Sequence, residues 1–347
     1  MLAAVYHGPK DIRVEKVEQP AIGPDEALLK VRAATICGTD LRTYTSGHHE
    51  SLSGAQRILG HEVAGDVVAV GPAVTSLKVG QRVAVAPNAG CGGCWQCIQG
   101  NNHLCEGHWA LGMNVDGAFA EYMRIPAPYI RGGNVAEIPE GVSYAEAALV
   151  EPCSCVYNGI RAVHIEPGDV VLIIGAGPIG IMHLFMARLS GARRVIVSEM
   201  SEERLTQALA FGADLTVNPE KQDVGEVVRA ASGGQGAHVV IVAAPSPAAQ
   251  MQAMEFVAVH GRINFFGGLP KGSEFIRFNS NLVHYKEVVV TGTSGSNNYQ
   301  YRRTMEIVAS GRIRLEQLLS ARFPLAQVDE AFALAASRKA LKVAVEA

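Results

Sequence analysis

Four of the seven cysteines fall within fifteen residues, as Cys91-Gly92-Gly93-Cys94-Trp95-Gln96-Cys97 followed by Cys105. The spacing C-x2-C-x2-C-x7-C lets thiolates converge on one ion, and the glycines permit the tight turns this requires. Four thiolates close a tetrahedral zinc shell with no open position, which makes a structural site. An iron–sulfur cluster also takes four cysteines, but nothing nearby suggests electron transfer, so zinc is the expected ion. Four reduced thiols without metal are the plain alternative. A second set is more reactive in type. Cys37-Gly38-Thr39-Asp40 and Gly60-His61-Glu62 supply a thiolate, an imidazole and a carboxylate, and Glu151 precedes Pro152 after the apolar run Ala147-Ala148-Leu149-Val150. Three protein ligands and one open position would make a catalytic zinc. Taken singly, each has an ordinary reading: Cys37 as a small apolar filler, His61 as a satisfied core histidine, Glu62 as a surface charge.

Gly175-Ala176-Gly177-Pro178-Ile179-Gly180 fits G-x-G-x-x-G. The five apolar residues Val170–Ile174 precede it and an amphipathic run follows, which is the context a dinucleotide-binding turn needs. The first glycine allows the turn and the second lets backbone approach a pyrophosphate. The third lets helix and strand pack closely. Phosphates would then meet free N–H groups at a helix N-terminus. Glu199 lies 19 residues past Gly180, where a carboxylate can bind ribose hydroxyls and repel a 2′-phosphate. NAD is therefore expected over NADP, although Arg193, Arg194 and Arg204 keep NADP open. Met200 and Arg204 join Glu199 in the expected cofactor set. Gly267-Gly268-Leu269 follows a later strand and would let a nicotinamide approach backbone, unless it is only a turn.

The elements that must carry these groups divide the chain. Residues 1 to about 150 hold short β-branched runs between Gly, Pro and Asp, such as Val79–Val85 and Val63–Gly71, and read as a compact, mostly antiparallel β domain. From about Glu140 strands and helices alternate. Val170–Ile174 and 195–198 read as strands, followed by helices at Pro178–Leu189 and 202–211. Strands at 239–243, 263–266 and 288–291 follow, with a helix at 247–259. Alternation of this kind implies a doubly wound parallel sheet. After Gly292 comes a polar loop, a helix at 301–310 and a terminal strand at 342–345, a tail expected to return to the first domain.

Composition sets the outer limits. The chain has 347 residues, 30 basic against 33 acidic side chains, a net charge of −3, 48% apolar and 18% charged residues. That length accommodates two domains with sizeable cores, and the apolar content excludes disorder over most of it. The near balance of charge points to neither a nucleic-acid nor a membrane partner. The one apolar stretch resembling a span, 18 residues from Val170 to Ala187 without a charge, holds three glycines, a proline and a histidine. It reads better as strand, turn and helix. The opening residues carry no pattern of an export signal. With cysteines grouped for metal, the expected compartment is the cytoplasm.

The ordered set Cys37-Gly38-Thr39-Asp40, Gly60-His61-Glu62-Val63-Ala64-Gly65, the four-cysteine segment, the Gly175 to Gly180 turn and Glu199 resembles the zinc-dependent medium-chain dehydrogenases over nearly the whole chain. Leu149-Val150-Glu151-Pro152 is similar to the polyol (sorbitol-type) and threonine dehydrogenase branches. The resemblance implies a GroES-like catalytic domain (1–150 with 296–347, the zinc lobe at about 88–108), a Rossmann NAD-binding domain (151–295) and a cleft between them. It implies that Cys37 and His61 ligate a catalytic zinc, that Glu62 and Glu151 are the carboxylates in or near its shell, and that Cys91, Cys94, Cys97 and Cys105 hold a second zinc. Thr39 would hydrogen-bond the reacting oxygen and pass its proton outward. Cys153 and Cys155 would be buried and structural.

What the family implies chemically is oxidation of a secondary alcohol to a ketone, with zinc lowering the hydroxyl pKa and NAD taking the hydride. Two departures stand out. Arg42 occupies the position where many relatives place a histidine relay, and a guanidinium is no base; water, His48 or His49 would have to serve. The loop Gly292-Thr293-Ser294-Gly295-Ser296 lacks the arginine of sorbitol-type enzymes, with none before Arg302. A polyol other than sorbitol, a cyclitol or a modified sugar is the expected substrate. The rivals are oxidation of an amino alcohol such as L-threonine, and a non-catalytic dinucleotide-binding scaffold. An edge strand at 288–291 would pair copies into a homodimer or homotetramer.

Overall fold

A computed structural model describes residues 1–47 and 56–347, so His48 and His49 lie outside the described residues. The chain forms two compact units, Met1–Ser154 with Ser296–Ala347, and Cys155–Gly295.

The first unit is built on an antiparallel-rich sheet. Its strands run Val135–Glu137, Arg82–Val85, Glu62–Val70, Ala27–Thr35, Lys342–Glu346 and Leu319–Pro324 in spatial order, with Tyr122–Ile125 also pairing Ala27–Thr35. Two registers matter for the chemistry. Thr35 stands opposite Glu62 where Ala27–Thr35 pairs antiparallel with Glu62–Val70. Ala344 stands opposite Thr35 where the last strand pairs on the other side. The C-terminal end of one central strand therefore meets the start of a second and the middle of a third. Phe119, Phe332, Tyr129 and Leu29 fill the core beneath, with Phe119 edge-on to Phe332 at 5.6 Å.

The second unit is a six-stranded sheet in which every neighbouring pair is parallel. Its order is Leu215–Val217, Arg194–Ser198, Val170–Ile174, Ala237–Val242, Val257–Phe265, Val289–Gly292. Numbered within the unit, that is 3-2-1-4-5-6, the doubly wound order. Val170, Val171, Leu172 and Ile173 are all fully buried, as strands covered on both faces must be.

Several expected boundaries move. A helix at Val150–Val163 runs through Glu151-Pro152. Proline in a first helical turn forfeits no intrahelical bond, because the N–H there has no partner within the helix. The expected helix at 247–259 ends at Phe256, and the next strand begins at Val257, not at 263. His260 interrupts that strand with φ of 55°. The helix expected at 301–310 starts at Asn298, because Asn297 and Gln300 form a reciprocal capping box. No helix among the described residues is long and apolar enough to cross a membrane.

Candidate active site and dinucleotide turn

Strand register assembles the reactive set. Cys37 follows Ala27–Thr35 and caps the helix Gly38–Ser46, while Glu62 opens the antiparallel partner strand and His61 immediately precedes it. One ligand atom from each of Cys37, His61 and Glu62 lies within 4.8 Å of the others. Glu151 is buried in the first turn of Val150–Val163 but is not one of the atoms within that distance. Glu62 is 0% exposed, not a surface charge.

Three residues that sequence reasoning did not assign complete the surroundings. Asp40 is buried, and its Oδ2 accepts from the Cys37 backbone N–H at 2.9 Å. Its Oδ1 accepts from the Gly60 N–H at 3.3 Å and lies 3.4 Å from His61 Nδ1. That contact holds the imidazole by Nδ1 and leaves Nε2 for an ion. Burial, the largest influence, pushes the imidazole toward neutrality, but Asp40 and Cys37 together outweigh it and hold the His61 pKa well above its ordinary value. Lys342, 5% exposed at the start of the last strand, donates to Glu62 Oε2 and to the Ile36 carbonyl. Thr35 Oγ1 donates to the same Glu62 oxygen. Burial pulls the Lys342 ammonium down most, yet Glu62, then Cys37 and Glu151, leave its pKa raised.

The site thus gathers the half-buried Cys37 and the buried Asp40 and Glu62 about His61 and Lys342, with Glu151 buried outside that set but close enough to act on the Lys342 charge. Glu62 Oε1 has no hydrogen-bond partner among the described residues. An orphaned buried carboxylate oxygen beside a thiol and an oriented imidazole fits a divalent cation such as zinc. Thr39 is half-buried on the same turn, and its Oγ1 accepts from the Arg42 guanidinium at 3.0 Å.

The sulfurs of Cys91, Cys94, Cys97 and Cys105 also lie within 4.8 Å of one another, and none is in a disulfide. The Cys91 N–H points at Cys105 Sγ and the Cys94 N–H at Cys91 Sγ, both at 3.4 Å. A Cβ on Gly90 would stand 2.5 Å from Cys97 Sγ, so only glycine leaves room for that sulfur. Backbone N–H groups of Gly93 and Cys94 bring the Cys91 thiol down to about 6, and burial pushes Cys97 up to about 12. Converging thiols with inward N–H donors fit a closed zinc shell. Cys153 is buried, whereas Cys155, expected to be buried as well, is only half-buried.

The glycine-rich turn sits after Val170–Ile174, at the point where the strand order reverses, and opens the helix Pro178–Leu189. A Cβ on Gly180 would meet the Gly175 carbonyl at 1.9 Å, which makes glycine obligatory there. At Gly177 the space is open, with only Arg204 at 4.0 Å, so a pyrophosphate has room. Pro178 and Ile179 form the first helical turn, half-buried. Glu199 accepts from the backbone N–H groups of Ala176 (2.9 Å), Met200 (2.9 Å) and Ser201 (3.2 Å), with Arg204 3.9 Å away. Its carboxylate is therefore fixed on the turn. The Met200 side chain is 61% exposed. Gly267 lies against the Ala244 carbonyl, where a Cβ would approach to 2.7 Å, and Leu269 is half-buried beyond it.

Comparison with known proteins agrees with this geometry. Residues 23–139 match the alcohol dehydrogenase GroES-like domain, and residues 178–310 match the zinc-binding dehydrogenase family. A sorbitol dehydrogenase of Bacillus subtilis is 35% identical over 99% of this chain and 97% of its own length. An L-threonine 3-dehydrogenase of Pyrococcus abyssi is 36% identical over 94% of this chain and 93% of its own. A chain from Sinorhizobium meliloti, described as a zinc-binding dehydrogenase bound to NADP, superposes with a TM-score of 0.91 at 32% identity, covering 100% of this chain and 99% of that one. The chain belongs to the zinc-dependent medium-chain dehydrogenases, in the branch that holds the polyol and threonine enzymes. Its fold is a GroES-like domain plus a Rossmann-type parallel sheet, and it is an alcohol dehydrogenase acting on CH–OH.

Proposed function

We propose that the protein oxidises a secondary hydroxyl of a polyol, cyclitol or sugar derivative to the ketone and passes the hydride to NAD. The observation that carries this reading is the convergence of Cys37, His61 and Glu62 around the unpartnered Glu62 Oε1. Cys37, His61 and one or both of Glu62 and Glu151 would hold a zinc ion, and the four cysteines a second. Bound there, zinc supplies a Lewis acid that lowers the pKa of an alcohol. Asp40 holds His61 in the ligating tautomer. Lys342 and Thr35 bind one Glu62 oxygen and leave the other for the ion. Thr39 takes part in proton removal: with Arg42 donating to Oγ1, the hydroxyl keeps its own hydrogen and one lone pair. Arg42 cannot accept that proton, so the relay runs to solvent.

Arg302 supports a substrate other than sorbitol. Its guanidinium donates to the carbonyls of Gly133 and Val135, so the first arginine after the sheet is already committed to backbone. Glu199, tied to the turn by the Ala176 N–H and to its own loop by those of Met200 and Ser201, would accept ribose hydroxyls and repel a 2′-phosphate, which supports NAD over NADP. A second reading, oxidation of an amino alcohol such as L-threonine, is supported by the Pyrococcus relative at 36% identity. Association into a dimer or tetramer would use the strand Val289–Gly292, which lies at the sheet edge.

The test is a screen of sugar alcohols, cyclitols and L-threonine with NAD and NADP, followed by reduced-cofactor absorbance. Turnover of a polyhydroxylated secondary alcohol with NAD supports the proposal. Turnover confined to L-threonine replaces it with the second reading, and tight dinucleotide binding without any turnover replaces it with a scaffold.

A further inference from the structure

Within the first unit a buried donor, as well as a buried acceptor, is left unpaired. The acceptor is Glu62 Oε1; the donor is the hydroxyl of Tyr301, a side chain 1% exposed that makes no hydrogen bond to the described residues. Leaving a buried hydroxyl unsatisfied is unfavourable, and a phenylalanine would fill the same space without that cost. Burial first, and then the carboxylates of Glu151 and Glu62, raise the Tyr301 pKa far above the ordinary phenol value. The group is therefore a neutral donor in the field of both carboxylates.

Its position is set by backbone. Tyr301 lies in the first turn of Asn298–Ala309, whose start is capped reciprocally by Asn297 and Gln300 at 2.8 and 2.9 Å. The Asn298 N–H donates to Asn102 Oδ1 at 3.1 Å, and its side-chain amide donates to the Gly132 carbonyl and to Asn134 Oδ1. Just upstream, Ser296 Oγ shares a hydrogen bond with Ser154 Oγ at 2.6 Å, and Ser154 donates to the Glu151 carbonyl. The helix bearing the phenol and the turn bearing Glu151 are thus stitched together, and the two cannot separate without breaking these bonds.

We propose that Tyr301 is a positioning residue for the catalytic metal: its hydroxyl donates to the Glu151 carboxylate in the metal-loaded protein and so decides how that carboxylate meets the ion. Glu62 is the less suitable acceptor. Its Oε2 already takes Thr35 and Lys342, and its Oε1 is the oxygen left for metal. The inference rests on the metal reading proposed above. A partner of this kind contributes through metal affinity and ligand geometry, and its loss typically weakens binding 10–100-fold.

Tyr301→Phe keeps the ring and removes only the donor. Full-length protein would be stripped with chelator and titrated with Co2+, with His61→Ala as the reference in which only the four-cysteine site reports. The expected result is at least a roughly tenfold weaker Co2+ affinity at the His61-dependent site, with an altered visible absorption band. The metal-free variant should unfold at the same or higher urea concentration than the parent, because an unsatisfied hydroxyl is gone. Unchanged affinity with an unchanged band overturns the inference, as does a metal-free variant less stable than the parent with affinity intact. If the parent itself shows no His61-dependent Co2+ binding, the metal reading fails as well, which separates the two.

Discussion

His183 offers a sharp test of how the second unit is packed. Its imidazole is 0% exposed, and neither ring nitrogen has a hydrogen-bond partner among the described residues. Phe266 stands edge-on at 4.7 Å, and the space toward Gly159 is so close that a Cβ there would meet the ring at 3.0 Å. Burial alone depresses the pKa from 6.5 to about 3. The ring is therefore neutral when folded and titrates normally when unfolded. Its contribution to stability is complete above about pH 6.5 and is lost as pH falls toward 3, because the unfolded chain then binds a proton that the folded chain refuses. At pH 5 the loss is about 1.5 pH units times 1.36 kcal/mol, or about 2 kcal/mol. His183→Leu removes the titration and both unpaired nitrogens while keeping an apolar side chain of comparable size. Urea unfolding of parent and variant should be followed in parallel at pH 8 and pH 5. The variant's advantage should grow by about 2 kcal/mol on acidification, with all other titrating groups cancelling in the comparison. A difference independent of pH would refute the reasoning, since it would mean the ring is protonated or hydrogen-bonded in the folded protein.

Other consequences follow from the same geometry. Lys342→Met leaves Glu62 without its ammonium and should cost about 3–5 kcal/mol in urea unfolding; combining it with Glu62→Gln should recover part of that loss, and strict additivity would contradict a direct pair. Glu199→Ala should weaken NAD binding about tenfold or more and narrow the preference over NADP, read by cofactor titration; an unchanged ratio would remove Glu199 from cofactor selection. Thr39→Val should lower turnover by roughly 10²–10⁴ with zinc content unchanged, and normal turnover would release Thr39 from the proton path.

The parts legible from sequence were those fixed by short-range physics. Val170–Ile174 and Pro178–Leu189 announce themselves through five apolar residues, a glycine turn and a proline at a helix start. The four cysteines are equally local. What escaped depends on register. Lys342 looks like an ordinary tail charge until the last strand is laid beside Ala27–Thr35, which puts its ammonium on Glu62. Asp40 did leave a trace, as an acid at the third helical position after Cys37, the spacing of a helix-start cap. The helix Val150–Val163 was hidden by a proline that reads as a boundary, and the strand Val257–Phe265 by a residue with positive φ that no local pattern foretells. Tyr301 could not be separated from an ordinary core aromatic without knowing that its hydroxyl lacks a partner.

The central claim is that Cys37, His61 and the neighbouring carboxylates bind a metal distinct from the one held by the four cysteines. Zinc content per chain, measured on the parent and on His61→Ala purified side by side, tests it most directly. The account predicts about two ions in the parent and about one in the variant, with dinucleotide binding retained. Equal zinc content in the two proteins would contradict it.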